Sequence, residues 1–189
     1  MYISTRGNFR KVPASEAIKL GMVPAGGLFV PAETPTLSAE EIVAMRGSSY
    51  REIAGRIISL FLDDFTEEEI KGCVARAYRD DNFDHPQVVP LYRLNAQTYF
   101  LELWHGPTAA FKDIALQILP HFLSLAVEKM GVQREMVILV ATSGDTGKAA
   151  LEGFKNVPGT KIIVFYPYNG VSKIQELQMT TTDGSNTSA

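Results

Sequence analysis

Residues 136–148 read Met-Val-Ile-Leu-Val-Ala-Thr-Ser-Gly-Asp-Thr-Gly-Lys, and this stretch decides the fold class. The run from Met136 to Ala141 is continuously apolar, which is typical of a buried central strand in a parallel sheet. A glycine-rich turn follows it and leads into a predicted helix over residues 146–154. A buried strand that passes into a helix through such a turn predicts an α/β fold.

The segments on either side extend this pattern. Residues 98–103 alternate and are rich in aromatic side chains, which predicts a strand. Residues 114–130 predict a nearly all-apolar, buried helix that Pro120 bends or divides. A second buried strand over residues 161–165 precedes a helix over about residues 172–179, which begins with a capping box. This order predicts parallel strands joined by right-handed crossovers.

The first 94 residues predict a different, mostly helical region. Ser38–Glu41 and Thr66–Glu69 have the spacing of capping boxes, which mark the starts of helices. The polar, proline-bearing segment over residues 80–90 indicates a boundary. We therefore predict a helical region over residues 1–94 and the first part of an α/β domain over residues 95–189. The predicted helices of the first region cover residues 14–20, 38–46, 50–62 and 66–79, and residues 26–35 are predicted to form a loop.

The composition excludes several classes of protein. The 189 residues are 46% hydrophobic and 21% charged, which is typical of a globular protein. A net charge of −3 provides no basic surface for nucleic acid or an anionic membrane. The single cysteine, Cys73, excludes an internal disulfide and a paired-cysteine metal site, and it agrees with a cytoplasmic location. Residues 1–10 lack the apolar core of a signal peptide, and no apolar run has the length of a membrane span.

The last ten residues, 180–189, contain no large aliphatic residue and complete no predicted element. An α/β domain that ended here would have a three-stranded sheet with an unprotected edge strand. We therefore expect the chain to be a truncated piece of a longer protein. No oligomeric state follows from the sequence.

The segment from His105 to Asp113 reads His-Gly-Pro-Thr-Ala-Ala-Phe-Lys-Asp and is the first candidate for chemistry. Gly106 and Pro107 predict a tight turn, and Lys112 falls at the start of an apolar helix. Its position alone leaves two interpretations. Lys112 is either a solvated lysine at a helix end, as most lysines are, or a partly desolvated amine that can form an imine.

The glycine-rich turn from Ala141 to Lys148 is the second candidate. Backbone N–H groups between a strand and a helix point outward and favour an anion. The turn is not a nucleotide-binding P-loop, because Thr142 stands where that motif has its first glycine. Ala149 also stands where the motif has serine or threonine. The turn is thus either a structural connection or a binding loop for another ligand.

Together, the two segments resemble the signature segments of threonine synthases, which are fold-type II enzymes dependent on pyridoxal phosphate (PLP). Ser4–Gly7, Gly26–Pro31 and Ile174–Thr180 are also similar to the N-terminal half of that family, so the resemblance covers essentially the whole chain. Asp145 replaces the asparagine of related fold-type II enzymes and indicates the longer-chain threonine synthases. The resemblance implies an α/β fold in which a helical N-terminal region precedes the start of a parallel-sheet, three-layer domain.

The resemblance also implies an activity, the conversion of O-phospho-L-homoserine and water into L-threonine and phosphate by a carbon–oxygen lyase. Lys112 is then the catalytic residue, which binds PLP as an imine and moves protons at the α and β carbons of the substrate. Phe111 packs beneath the site. The residues implied to lie against the cofactor are Lys112, Phe111, Ser143, Gly144, Asp145 and Thr146. Those implied to bind the substrate, mainly its carboxylate, are Thr142, Ser143, Thr146 and Gly147.

Two nearby side chains are expected to lie outside the chemistry. We expect Lys148 to be an exposed lysine at a helix start and His105 to be a turn or core histidine. In the family, the glycine-rich cradle for the cofactor phosphate and the group that meets the pyridine nitrogen lie further along than Ala189. We therefore expect the 189-residue chain to bind PLP weakly and to have no meaningful activity by itself.

Three alternatives stay open at this point. The first is another fold-type II PLP enzyme, such as a lyase or dehydratase. The second is a threonine-synthase-like protein that binds PLP or phosphate without full synthase activity. The third is a non-catalytic α/β module whose glycine-rich turn binds a phosphate-bearing ligand.

Overall fold

The computed structural model describes all of residues 1–189 as two compact units, Met1–Ala75 with Leu125–Val132, and Arg76–Ser124 with Gln133–Ala189. The strands are β1 (Tyr2–Ser4), β2 (Phe29–Pro31), β3 (Leu91–Arg93), β4 (Tyr99–Leu101), β5 (Met136–Ala141), β6 (Thr160–Phe165) and β7 (Thr187–Ser188). The helices are α1 (Ala14–Leu20), α2 (Ala39–Ala44), α3 (Tyr50–Ser59), α4 (Glu67–Ala77), α5 (Asp113–Leu116), α6 (Leu119–Lys129), α7 (Asp145–Phe154) and α8 (Lys173–Thr180). The domain division predicted between residues 94 and 95 stays a prediction.

The helices of the first unit begin where the capping chemistry predicts. The hydroxyl of Ser38 accepts the N–H of Glu41, whose carboxylate accepts the N–H of Ser38 in return. Thr66 and Glu69 form the same reciprocal pair before α4. Each predicted helix is present, although α2, α3 and α4 end two or three residues earlier than predicted.

The N-terminal segment belongs to a small sheet that the sequence analysis did not predict. β1 pairs antiparallel with β2, with Ile3 opposite Val30, and Tyr2 exchanges two backbone hydrogen bonds with Val12. Part of the loop predicted over residues 26–35 is therefore a strand. Each strand is only three residues long, which is too short for a periodic signal.

The strand predicted over residues 98–103 is present as β4, but its assignment to the parallel sheet is wrong. It pairs antiparallel with β3, with Tyr92 opposite Phe100. The turn between them is closed by the side chain of Asn95, which accepts the N–H groups of Gln97 and Thr98. So short a connection permits only antiparallel pairing, because a parallel pair needs a long crossover.

The sheet of the second unit is parallel, with strand order β5-β6-β7. The expectation of a buried central β5 is wrong, because β5 lies at the edge and alternate side chains, including Val137 and Leu139, are exposed. The expectation that residues 180–189 complete no element is also wrong. They contain β7, which Asn186 secures by donating hydrogen bonds to the carbonyls of Phe154 and Thr160.

Pro120 divides the long apolar segment, as predicted, into α5 and α6. It stands in the first turn of α6, where a residue without a backbone N–H is tolerated. No helix of the structure is both long and apolar enough to cross a membrane.

Helix α7 packs on β6 and contacts both α5 and α8, so it is the centre of the second unit. Its fit depends on Gly153, where an added Cβ would lie 2.0 Å from the carbonyl oxygen of Leu116 at the end of α5. The starts of the three helices are linked by other contacts: Gln175 in the first turn of α8 donates to Asp145 at the start of α7, and the charge of Lys112, just before α5, acts on the same carboxylate. Those three starts carry the candidate functional residues.

Candidate functional site

Lys112 immediately precedes α5 and is partly buried. Its Nζ lies 4.3 Å from the centroid of the Phe111 ring, a cation–π contact. The Phe111 ring is itself 61% exposed in this chain. The amine of Lys112 therefore rests on the face of a largely exposed aromatic side chain.

The turn before Lys112 is anchored by Asp113, a residue for which the sequence pattern predicts no role. Asp113 is fully buried, and its two carboxylate oxygens accept the backbone N–H and the hydroxyl of Thr108. Burial raises the pKa of Asp113, while the hydrogen bonds from Thr108 and the positive charge of Lys148 act in the opposite direction. A Cβ at Gly106 would lie 2.5 Å from that of Asp113, so only glycine fits there.

The glycine-rich turn is shaped from within by Thr142. Its hydroxyl oxygen accepts the N–H groups of Gly144 and Gly147, both at 3.1 Å. The hydroxyl also donates to the carbonyl of Gly144 at 3.3 Å. The side chain of Thr142 and the N–H of Gly147 are thus engaged in the loop's own hydrogen bonds.

The remaining polar residues of the turn face outward. Ser143, Asp145 and Thr146 are exposed, and the last two belong to the first turn of α7. The first N–H groups of a helix have no partner within that helix and carry a partial positive charge. The hydroxyls of Ser143 and Thr146 and these N–H groups form a polar rim that suits an anionic group, whereas Asp145 adds a negative charge of its own.

The lysine segment and the glycine-rich turn lie close to each other. The pKa of Asp145 is lowered, first by a hydrogen bond from Gln175 and also by the positive charges of Lys148 and Lys112. The charge of Lys112 therefore reaches a carboxylate of the turn, although the two are 33 positions apart in sequence. The fold thus places the two segments in one electrostatic environment.

Lys148 is not the exposed lysine that we expected. Only 11% of its side chain is exposed, and its Nζ lies 3.6 Å from Oδ1 of Asp145. Its charge also opposes the rise that burial causes in the pKa of Asp113. The expectation is wrong because the side chain projects from the first turn of α7 into the region between two carboxylates.

His105 lies between two carboxylates at the beginning of the lysine segment. Its Nδ1 is 2.6 Å from Asp84, and its Nε2 is 2.8 Å from Glu102. These two contacts, that of Glu102 first, raise the pKa of His105. The arrangement supports the structural role expected for this histidine. No group of three or more histidine, cysteine, aspartate or glutamate side chains has the geometry of a metal site.

Comparisons with known proteins point to one family. The family model described as "Threonine synthase N terminus" matches residues 1–78. A threonine synthase from Pseudomonas aeruginosa is 40% identical over 186 residues, which cover 98% of this chain and 39% of that protein. A "Threonine synthase-like 2" protein from Rattus norvegicus is 40% identical over 182 residues, which cover 95% of this chain and 37% of that protein.

The solved structures agree with the sequence comparisons. A PLP-bound threonine synthase from Brucella melitensis matches with a TM-score of 0.90 and 39% identity, covering 98% of this chain and 39% of that one. The chain therefore spans about two-fifths of the length of the relatives that it matches. Over that span its fold is that of the N-terminal part of a PLP-dependent α/β enzyme, as the sequence predicted.

Proposed function

From the similarity of this chain in sequence and fold to the N-terminal part of threonine synthases, we propose that the protein containing it converts O-phospho-L-homoserine and water into L-threonine and phosphate, with PLP as cofactor. The observation that carries the proposal is the placement of Lys112. Its amine lies on the face of Phe111, and its charge acts on Asp145 in the glycine-rich turn. A cytoplasmic location fits a chain whose single cysteine, Cys73, is buried and forms no disulfide.

The residues present fit PLP in three respects. Lys112 provides a primary amine, Phe111 provides an apolar face, and the start of α7 provides N–H groups for an anion. When bound, PLP supplies an electron sink for the removal of protons from the substrate's α and β carbons. Lys112 would be the group that holds the cofactor, and its free amine would move those protons.

The turn residues take two kinds of role in this proposal. Ser143, Asp145 and Thr146 are exposed, so they would lie against the cofactor, with the hydroxyls of Ser143 and Thr146 as donors to the substrate carboxylate. Thr142, Gly144 and Gly147 shape the turn, because the hydroxyl of Thr142 accepts the N–H groups of the two glycines. The internal bonds of Thr142 favour shaping of the turn over direct contact of its side chain with the substrate.

A trapping experiment tests the assignment of Lys112. The protein, extended to the length of its relatives, is incubated with PLP, reduced with borohydride and mapped by peptide mass spectrometry. We expect the label on Lys112, its loss in Lys112→Ala, and its retention in Lys173→Ala, which removes a lysine whose side chain is 73% exposed. Absence of label from Lys112 in the extended protein would overturn the proposal.

An activity assay tests the reaction. The extended protein should release phosphate from O-phospho-L-homoserine and form threonine, and it should leave serine and threonine unchanged. Deamination of serine or threonine without phosphate release would instead identify a dehydratase. For the 189-residue chain alone we expect weak PLP binding and no phosphate release.

A second candidate function has specific support. The relative named "Threonine synthase-like 2" is as similar to this chain as the Pseudomonas aeruginosa threonine synthase. A protein that binds PLP at Lys112 without forming threonine would account for the same sequence and fold. Labelling of Lys112 in an extended protein that releases phosphate but forms no threonine would support this second function.

A further inference from the structure

Both ends of the Gln175 side-chain amide form hydrogen bonds at the start of α8. Its Oε1 accepts the backbone N–H and the hydroxyl of Ser172, each at 3.2 Å, as the third helical residue of a capping box does. Its Nε2 donates to Oδ1 of Asp145 at 2.8 Å. The amide is therefore held in one orientation by its own helix and presents its N–H to the first residue of α7.

Gly144 lets this amide approach the turn. A Cβ at position 144 would lie 2.5 Å from Nε2 of Gln175 and 2.8 Å from its Cδ. Gly144 also has a φ of 148°, which side-chain-bearing residues rarely adopt. The side chain of Gln175 thus packs directly on the backbone of the turn, beside Asp145.

Asp145 is faced by charged or polar groups from three elements. Lys148 approaches from its own helix, with Nζ 3.6 Å from Oδ1, and Lys112 acts on it from the start of α5. Gln175 is the neutral group that approaches from α8. Among the causes that lower the pKa of Asp145, the hydrogen bond from Gln175 is the largest.

We propose that Gln175 is a positioning residue, which holds the carboxylate of Asp145 in one orientation beside Lys112 through the bond from Nε2 to Oδ1. The contribution of this contact to the reaction rests on the proposed function, whereas the contact itself does not. Helix α8 thereby becomes a support of the candidate site, although its own residues are not expected to take part in chemistry.

The substitution Gln175→Glu separates positioning from helix capping. Glutamate at this position keeps the acceptor for Ser172 and nearly the same shape, so the capping box survives. It removes the N–H donor and places a second negative charge against Asp145, which disfavours the ionised form. We expect the pKa of Asp145, measured in the 189-residue chain by carbon-13 carboxyl NMR, to rise while the unfolding midpoint hardly changes.

The matched control is Ile174→Glu. It adds the same charge to the same helical turn at a side chain that is 71% exposed. We expect it to leave the pKa of Asp145 close to that of the unmodified chain. An equal pKa of Asp145 in the unmodified chain and in Gln175→Glu would overturn the proposal.

A reciprocal measurement covers the case in which Gln175→Glu does not fold. In the unmodified chain, the side-chain NH₂ protons of Gln175 should exchange slowly with solvent. In Asp145→Asn, which weakens the acceptor, they should exchange roughly tenfold faster, the effect expected for loss of a hydrogen bond to a charged group. Equal exchange rates in both forms would contradict the proposal.

The contribution of Gln175 to the reaction is measured separately, in the extended protein. Gln175→Glu should slow the borohydride-trapped labelling of Lys112 by roughly tenfold, while Ile174→Glu labels at the normal rate. Equal labelling of both variants would contradict a role of Gln175 in the reaction, while its contact with Asp145 would still stand. Failure of the unmodified extended protein to be labelled would instead overturn the proposed function, and the NMR result would still decide the contact.

Discussion

The carboxylate of Asp113 accepts two hydrogen bonds from Thr108, one from the backbone N–H at 2.8 Å and one from the hydroxyl at 2.7 Å. Asp113 is fully buried and directly follows Lys112 in the chain. The backbone that carries Lys112 is therefore fixed by a buried contact between residues five positions apart, Thr108 and Asp113. The candidate catalytic lysine is thus followed directly by an aspartate that is buried and anchored to Thr108.

Replacement of Thr108 by valine tests this anchor. Valine keeps the shape of threonine but removes the hydroxyl donor, which leaves one oxygen of a buried carboxylate without its hydrogen bond. We expect Thr108→Val to lower the free energy of unfolding by about 1–3 kcal/mol, measured by urea denaturation. The control is Thr181→Val at an exposed helix end, where a change within about 0.5 kcal/mol is expected. Equal effects of the two substitutions would contradict the anchoring role.

The close approach of α5 and α7 predicts opposite effects for two glycine substitutions. In Gly153→Ala, the new Cβ would lie 2.0 Å from the backbone oxygen of Leu116, so the helices must separate. We expect a loss of roughly 1–3 kcal/mol in the free energy of unfolding. Gly55 lies in α3 with no atom within 4 Å of an added Cβ, so Gly55→Ala should stabilise by about 0.5–1 kcal/mol. Thermal unfolding of both variants measures the contrast, and destabilisation by both would refute it.

His105 should stabilise the fold on the acidic side of neutrality. Glu102 and Asp84 raise the pKa of His105 in the folded protein above its unfolded value. The stabilisation is then fully present below the unfolded pKa of about 6.5 and is lost as the pH rises through the folded pKa. We expect His105→Gln to destabilise the chain at about pH 5.5 and to have little effect at about pH 9, measured by urea denaturation. A pH-independent effect would show that the ring contributes through packing alone.

His121 should destabilise the fold as the pH falls, which is the opposite of the effect of His105, within an overlapping range of pH. Burial, with help from the charges of Arg76 and Arg79, lowers the pKa of His121 from 6.5 to about 4. Between these values the unfolded chain binds the proton more readily than the folded chain does, so stability falls as the pH falls. The total loss in the free energy of unfolding is about 3 kcal/mol when the pH has fallen from above 6.5 to below about 4.

We expect His121→Gln to remove this loss. The variant should lose less stability than the unmodified chain between about pH 7 and pH 4.5, as measured by urea midpoints at the two values. Parallel losses in both proteins would mean that His121 titrates normally in the folded state. The double variant with His105→Gln should show the two effects adding, since the histidines have opposite signs and separate partners.

Local chemistry made much of the fold predictable. The boxes that begin at Ser38, Thr66 and Ser172 place the starts of three helices correctly, because each box is complete within four residues. Pro120 divides the apolar segment as expected, since the missing N–H acts on its own helix. The run from Met136 to Ala141 is a strand with the bounds predicted.

Features that join distant residues were the ones missed or misread. The sequence predicted β4 as a member of the parallel sheet, whereas it pairs antiparallel with β3, because periodicity reveals a strand but not its partner. Lys148 reads as exposed, because helix position alone does not show that two carboxylates flank it. Gln175 reads only as a helix cap, although its other end bonds a residue 30 positions away.

For the candidate site, the sequence by itself determined the residue types and the order of the two segments that carry Lys112 and Asp145. It also determined the turns that expose them, because glycine and proline act through the backbone of their own neighbourhood. Only the tertiary structure decided that Asp113 is buried against Thr108 and that Gln175 holds Asp145. Burial and electrostatic environment depend on which helices pack together, and that packing is a property of the whole chain.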